Sequence, residues 1–197
     1  MKHKTLLISL LFVTYLINAQ NKKNDFGLKA GLNYSSFSDN SSEDFGFDYT
    51  SKVGFYIGGY INFRITEKIS IQPELLFSQQ GSDFSISLLT INGTNSKREG
   101  EIKESLVLIP VMLNVSINDK FEILTGPQFG YILERSKDPD LIAKEGPNSD
   151  KFEIGANIEV GYNFGKKYRI GFRYTYGITK RQNLRSSVMQ FGLQYKL

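Results

Sequence analysis

Alternation of side-chain character with a period of two residues constrains this chain more than any other feature. In residues 168–177, YRIGFRYTYG, every second side chain is apolar or aromatic, and the positions between them include Arg169 and Arg173. Because successive side chains of a β-strand point to opposite faces, the pattern predicts a strand with one apolar and one polar face. The apolar face would form the core of a soluble protein, whereas it would contact lipid in a membrane barrel.

Eight segments show this alternation, and we find no long helical period between them. They are residues 26–34, 53–65, 69–80, 106–117, 121–133, 152–164, 168–177 and 188–197. Three connections are tight, at 66–68, 118–120 and 165–167, and four are longer and polar, near 36–52, 81–103, 134–151 and 178–187. Antiparallel order places all tight turns at one end and all long loops at the other, which is typical of outer-membrane barrels.

The fold class predicted from these segments is all-β, an eight-stranded antiparallel up-and-down transmembrane β-barrel preceded by a cleavable signal peptide. Lys2 and Lys4 precede an apolar run at 6–17, and Ala19 follows it, which is the layout of a secretory signal. We therefore expect a signal peptide at residues 1–19 and an outer-membrane β-barrel domain at residues 20–197. Both termini of that barrel are expected in the periplasm.

The composition narrows the chemistry further. The chain has no cysteine, and its only histidine, His3, lies in the predicted signal peptide. Histidine-dependent catalysis and thiolate or imidazole metal sites therefore lack their side chains, so we expect no enzymatic activity, no metal and no cofactor. Removal of Lys2 and Lys4 lowers the 24 basic residues to 22, against 20 acidic ones, so no nucleic-acid partner is expected.

The polar rows would fill the interior, because eight strands enclose a space about wide enough for side chains alone. Buried charges need partners, and the mixed signs of these residues allow pairing. A turn centred on Lys166 sets Glu159 opposite Arg173 and predicts an ion pair between them. The predicted lumen network comprises Lys29, Tyr60, Arg64, Glu74, Glu122, Gln128, Glu159, Arg169 and Arg173.

Glycines of the polar rows are expected to make room for these long side chains, and a turn centred on Glu67 sets Tyr60 beside Glu74. The glycines concerned are Gly31, Gly58, Gly126, Gly155, Gly161 and Gly171. Prolines at 73, 110 and 127 fall within strands, where a missing N–H predicts bulges or local breaks. Residues 84–91 alternate before Asn92-Gly93, which predicts that strands three and four continue past the membrane as a ribbon.

Aromatic side chains of the apolar rows fall into two bands separated by aliphatic residues. The band nearest the tight turns comprises Phe26, Phe63, Phe121, Phe164, Tyr168 and Tyr195. The band nearest the long loops comprises Tyr34, Phe55, Phe77, Tyr131, Phe152 and Tyr176. Aromatic girdles at both bilayer interfaces are typical of membrane barrels, so we interpret these residues as girdles.

Five short motifs, in this order, resemble the PorT-like or "porin family" outer-membrane β-barrel proteins common in Bacteroidota. They are QPELLFSQQG at 72–81, LIPVMLN at 108–114, GPQFGYIL at 126–133, GANIEVGYNF at 155–164 and RYTYGITK at 173–180. The resemblance covers essentially the whole mature chain. It implies an eight-stranded barrel in the Gram-negative outer membrane, exported by a signal peptide.

The function expected from these patterns is that of a non-enzymatic barrel with a packed polar lumen and long extracellular loops. Its role would be structural, adhesive or accessory to an envelope or secretion complex. Expected partners are outer-membrane lipid and lipopolysaccharide, the barrel-assembly machinery during insertion, and a protein bound through the loops. Two alternatives stay open at this point: a small-solute porin, and a soluble periplasmic lipocalin-like barrel that binds an apolar ligand.

Overall fold

A computed structural model describes residues 24–38, 47–89, 95–137, 151–180 and 185–197. Its strands are β1 (Asn24–Ser38), β2 (Phe47–Arg64), β3 (Ile69–Leu89), β4 (Asn95–Ser116), β5 (Phe121–Lys137), β6 (Phe152–Phe164), β7 (Tyr168–Gly177) and β8 (Arg185–Lys196). Each strand pairs antiparallel with the next, and β8 pairs with β1. The closed eight-stranded barrel confirms the predicted fold. The expected signal peptide at 1–19 lies outside the described residues.

Tight turns at one end of the barrel fix the register of its hairpins. The Thr66 hydroxyl accepts hydrogen bonds from the backbone N–H groups of Lys68 and Ile69, at 3.3 and 3.0 Å. The Asn118 side-chain oxygen does the same for the N–H groups two and three residues later, both at 2.9 Å. Gly165 has a φ of 74°, a backbone conformation that glycine adopts without steric cost. Side-chain-capped turns and glycine are the usual local signals for such tight connections.

The registers predicted from these turns are confirmed. Glu159 lies opposite Arg173 on β6 and β7, and Tyr60 lies opposite Glu74 on β2 and β3. The long connections are shorter than expected because the strands continue into them. β3 and β4 stay paired from Gly81↔Lys103 to Leu89↔Asn95, which confirms the predicted ribbon.

The apolar rows point out of the barrel and the charged rows point in. On β7, the Phe172 side chain is 51 % exposed, whereas its neighbour Arg173 is 1 % exposed. On β6, Ile158 and Glu159 show the same contrast. A soluble ligand-binding barrel would require the opposite arrangement, so the structure contradicts that alternative.

Three ladders are interrupted next to prolines, as predicted. Pairing between β2 and β3 skips from Tyr60 to Phe63, opposite Pro73. Pairing between β3 and β4 skips from Pro73 to Leu76, and pairing between β4 and β5 skips from Pro110 to Leu113, opposite Pro127. None of these interruptions changes the register, so they are local breaks and not bulges. Proline has no N–H to donate, which accounts for the missing ladder contacts. The two register shifts lie nearer the long-loop end, in β2 and β4.

Candidate functional site

The middle of the lumen holds four charged side chains, which we call the central quartet: Lys29, Glu74, Glu159 and Arg173. The Lys29 ammonium lies 2.7 Å from Glu159 and 3.5 Å from Glu74. The Arg173 guanidinium lies 2.7 Å from Glu74 and 2.6 Å from Glu159. Each carboxylate therefore contacts both cations, and the quartet is neutral. All four side chains are buried, which fits the rule that buried charges are paired.

Glycines next to the quartet provide part of its space. A Cβ atom at Gly171 would lie 2.7 Å from Glu159 Oε1, and one at Gly161 would lie 2.8 Å from Arg169 Cδ. These two of the six predicted glycines therefore adjoin charged side chains. The other four would meet the backbone of a neighbouring strand first, so their role is close strand approach and not space for charges. The expectation was wrong for those four.

A second polar layer lies between the quartet and the tight turns. The Arg169 guanidinium forms an ion pair with Glu122 and donates to Gln72 Oε1 at 2.7 Å and to Gln194 Oε1 at 3.1 Å. The amides of Gln72 and Gln194 in turn donate to Glu74 and Glu159, both at 2.8 Å. The side-chain amides of Gln72 and Gln194 thus connect this layer to the central quartet. The Arg169–Glu122 ion pair of this layer is neutral, like the quartet.

Tyr60 and Gln128 are buried in the lumen as predicted, but they take different positions. The Tyr60 ring lies 6.0 Å from the Arg169 guanidinium, within range of a cation–π contact. Gln128 lies opposite Pro110 and Gly155, and its side-chain oxygen has no hydrogen-bond partner among the described residues. The structure therefore brings Tyr60 next to the network and leaves Gln128 apart from it.

Arg64 was wrongly assigned to the lumen network. Its side chain is 52 % exposed and lies 3.2 Å from Asp25, at the mouth beside the tight turns. Arg64 is the last residue of β2, so its side chain projects past the packed interior. It lines an open polar vestibule of about 330 Å³, whose inner wall includes Tyr60, Glu122 and Arg169.

Sequence reasoning missed an apolar layer on the other side of the central quartet. This apolar plug comprises the buried side chains Tyr56, Leu76, Leu106, Leu108 and Ile132. The plug follows the quartet directly along β3, because Leu76 is the next inward residue after Glu74. The signal for it was the continuous apolar run at 106–113, where both faces of β4 are apolar.

Beyond the plug, four half-buried or exposed residues form what we call the outer quartet: Lys52, Asp83, Glu101 and Lys103. The Lys52 ammonium lies 2.8 Å from Asp83 and 2.5 Å from Glu101, and Lys103 lies 2.6 Å from Glu101. Hydrogen bonds from Lys103 and Lys52 lower the pKa of the Glu101 carboxyl to about 2. Hydrogen bonds to Asp83 and Glu101 raise the pKa of the Lys52 ammonium.

All predicted girdle aromatics lie on the outward rows, where they are exposed or half-buried. Rings of neighbouring strands contact each other in both bands. Near the tight turns, the Tyr168 ring centre lies 5.5 Å from that of Phe164 and 5.2 Å from that of Tyr195. Near the long loops, the Phe55 and Phe77 centres are 6.1 Å apart. Such pairs add to the apolar contacts of the outer wall.

In the part of the chain that the structure describes, no helix is long and apolar enough to cross a membrane. The same residues contain no group of three or more histidine, cysteine, aspartate or glutamate side chains placed to hold a metal ion.

A closed barrel with an apolar exterior and a charged, packed lumen defines the class of outer-membrane β-barrels. Residues 18–182 match the sequence profile of the family described as outer membrane protein beta-barrel domain, and the chain belongs to that family. The family places the protein in the outer membrane. The comparison with curated protein sequences found no match.

Solved structures of outer-membrane proteins share the fold at low sequence identity. Ail, the attachment invasion locus protein of Yersinia pestis, was crystallised with the heparin analogue sucrose octasulfate. It matches with a TM-score of 0.53 and 12% identity, over 89% of this chain and 99% of that chain. OprG from Pseudomonas aeruginosa matches with a TM-score of 0.50 and 11% identity, over 89% and 97%. Neisserial surface protein A (NspA) matches with a TM-score of 0.50 and 16% identity, over 87% of this chain and 97% of that chain.

Proposed function

We propose that this protein is a non-enzymatic integral outer-membrane barrel whose lumen does not conduct and whose long loops carry its specific role. That role is structural, adhesive or accessory to an envelope or secretion complex. The observation that carries the proposal is the filling of the lumen at successive levels. The Arg169 layer, the central quartet and the apolar plug are buried one after another along the barrel. A diffusion pore needs a continuous aqueous path through those levels.

The lumen carboxylates are poorly suited to acid–base chemistry. Glu74 and Glu159 each contact two cations, and Glu122 accepts hydrogen bonds from Asn114 and Asn163 in addition to its ion pair with Arg169. A general base needs access to the proton that it removes. Carboxylates held in ion pairs inside a packed barrel support a structural role.

The proposal includes an orientation and an export route. Tight turns and both termini would lie in the periplasm, and the long loops and the β3–β4 ribbon would lie outside the cell. The sorting of short and long connections to opposite ends supports this orientation. Residues 1–19 would be removed as a signal peptide, and the barrel-assembly machinery would insert the chain. The motifs at 72–81 and 173–180 support a PorT-like relationship of the Bacteroidota type.

Conductance in planar bilayers tests the proposal. The refolded protein should insert without producing a reproducible single-channel step, because buried charged, polar and apolar side chains fill the lumen at successive levels. A general porin added under the same conditions shows that the assay detects pores. A stable unit conductance of this protein at neutral pH would replace the proposal with the small-solute porin.

Detergent extraction and gel migration test the membrane assignment separately. The protein should leave the envelope only with detergent, and its folded form should migrate differently from the heated form on a gel. A protein released by buffer alone would contradict an integral barrel.

A further inference from the structure

An arginine and three hydroxyl groups meet on the outward face of β7 and β8, at the long-loop end. The Arg185 guanidinium carbon lies 5.7 Å from the centre of the Tyr176 ring, and Nη1 donates a hydrogen bond to the Tyr176 hydroxyl at 2.5 Å. Beside them, the Ser187 hydroxyl donates to the Tyr174 hydroxyl at 3.1 Å. We call these four residues the arginine–hydroxyl site.

The charge of Arg185 is not neutralised by a carboxylate of the residues that the structure describes. A guanidinium has five N–H donors, and the Tyr176 hydroxyl is the partner of one of them. The Nε donor has no partner in the described residues, but it is buried, so an external anion would contact Arg185 through its terminal nitrogens. No carboxylate in the described residues forms a salt bridge with Arg185. At the same end of the barrel, Lys52 and Lys103 are both paired with carboxylates of the outer quartet. Arg185 therefore differs from those cations in having capacity for an external anion.

The height of the site matches a lipid headgroup. Arg185 and Tyr195 are about 33 Å apart along β8 at a rise of about 3.3 Å per residue. A strand tilt of about 40° reduces this separation to about 25 Å across the membrane, the usual height of the apolar band of such barrels. Tyr195 belongs to the aromatic band at the other interface. The Arg185 guanidinium therefore lies where hydrocarbon gives way to phosphate and sugar.

We propose that the arginine–hydroxyl site binds the phosphorylated sugar headgroup of an outer-leaflet glycolipid. Arg185 binds the phosphate, since a planar guanidinium matches phosphate oxygens with two parallel hydrogen bonds. Hydroxyls of Tyr174, Tyr176 and Ser187 bind the hydroxyl groups of the sugar. A glycerophospholipid supplies the phosphate but not a sugar to match those hydroxyls. The inference rests on the proposed orientation, in which the long loops face the outer leaflet.

Binding of purified diphosphoryl lipid A to the full-length mature protein in detergent micelles tests the site. Arg185→Gln should weaken the affinity about tenfold, the loss of one good charged contact. Removal of both phosphates from lipid A should weaken binding to the wild-type protein by a similar factor. The same removal should change the affinity of the Arg185→Gln variant little, because the phosphate contact is already lost. Ser187→Ala should weaken binding less, by about threefold, because one neutral hydrogen bond is lost.

Lys103→Gln is the matched control, because it removes an outward cation at the same end that is already paired with Glu101. Its affinity for lipid A should stay within about twofold of the wild-type value, well below the roughly tenfold loss expected when one charged contact is removed. Equal losses in Lys103→Gln and Arg185→Gln would overturn the site in favour of general surface charge. Unchanged binding in Arg185→Gln, or equally tight binding of phosphatidylglycerol, would also overturn it.

Two further measurements separate the failure of this site from the failure of the proposed function. Each variant must keep the heat-modifiable migration of the folded barrel, which excludes misfolding as the cause of weaker binding. Protease cleavage of a site inserted at residues 90–94 in intact cells reports whether the ribbon lies outside. Cleavage without lipid A binding rejects the site alone, whereas protection from cleavage rejects the orientation and the site together.

Discussion

The central quartet and the outer quartet contain the same kinds of charge in different surroundings. Each has two cations and two carboxylates with contacts shorter than 3 Å. Side chains of the central quartet are at most 3 % exposed, whereas those of the outer quartet range from 24% to 58%. Contact distance therefore does not set the energetic value of an ion pair. Burial decides how much is lost when one partner is removed.

The physical reason is the availability of water as a substitute partner. An exposed pair that loses one member leaves a charge that water solvates, so such pairs contribute about 0.2–1 kcal/mol. A buried pair that loses one member leaves an unpaired charge in a medium of low polarity, at a cost of about 3–5 kcal/mol. Substitutions in the two quartets should therefore differ several-fold in their effect on stability.

The largest effect is expected for Arg173→Met. The substitution leaves Glu74 and Glu159 with Lys29 as their only quartet cation, so the free energy of unfolding should fall by about 3–5 kcal/mol. Unfolding in urea, followed by far-ultraviolet circular dichroism in lipid vesicles, measures it. The double variant Arg173→Met/Glu159→Gln restores neutrality and should be more stable than Arg173→Met alone. If Arg173→Met lowered the free energy of unfolding by less than about 1 kcal/mol, the central quartet would contribute no more than exposed ion pairs do, and the contrast would be wrong.

An intermediate effect is expected for Gly171→Ala. The new methyl group would lie 2.7 Å from Glu159 Oε1, which accepts a hydrogen bond from Gln194, so it must shift the carboxylate whose other oxygen contacts Lys29 and Arg173. Overpacking of this kind costs about 1–3 kcal/mol, measured by the same urea unfolding. Gly59→Ala is the control, because its nearest neighbour would be a backbone oxygen at 3.5 Å, an ordinary contact distance. Equal losses in both variants would show that strand glycines matter through backbone conformation and not through space for Glu159.

The smallest effect is expected for Glu101→Gln in the outer quartet. Its loss of stability should stay below about 1 kcal/mol and should shrink in 1 M salt, because exposed pairs are screened. The corresponding Glu159→Gln change in the lumen should cost more, and its cost should not change with salt. A salt-independent loss in Glu101→Gln would contradict the contrast between the two quartets.

The pH dependence of the same variant sharpens this prediction. The folded-state pKa of Glu101 is about 2, below its ordinary value of 4.5. The carboxylate therefore contributes its full stabilisation above about pH 4.5, and this contribution is lost as the pH falls towards 2. The stability difference between wild type and Glu101→Gln should close over that interval. A difference that persists at pH 2 would contradict the lowered pKa.

Local signals in the sequence were sufficient to predict which residues face each other within a hairpin. The turn at Lys166 fixes the β6–β7 register, and strand alternation then puts Glu159 and Arg173 on one face. Contacts across the lumen could not be obtained in this way. Lys29 reaches Glu159 from a strand that is not its neighbour, and that meeting depends on barrel closure and strand stagger.

The errors have equally local causes. Arg64 follows the polar row of β2, but alternation does not show where the packed interior ends. The apolar plug was missed because the inward residues of β4 are as apolar as the outward ones. Glu104 and Arg135 form an ion pair at 2.6 Å. Arg135 falls in a polar segment that was assigned to a loop, and Glu104 precedes the start predicted for the fourth strand. Strand continuation there depends on pairing between neighbouring strands.

The neutrality of the central quartet has a consequence for the order of insertion. The β6–β7 hairpin brings Glu159 and Arg173 together, so these two charges can cancel each other before the barrel closes. Lys29 on β1 and Glu74 on β3 lie 3.5 Å apart, and they reach Glu159 and Arg173 only when the first and last strands meet. A register shift between β1 and β8 would leave an unpaired charge in a medium of low polarity. The ion pairs across the lumen therefore favour the correct register between β1 and β8. A barrel that closes in another register is less stable and reopens more readily.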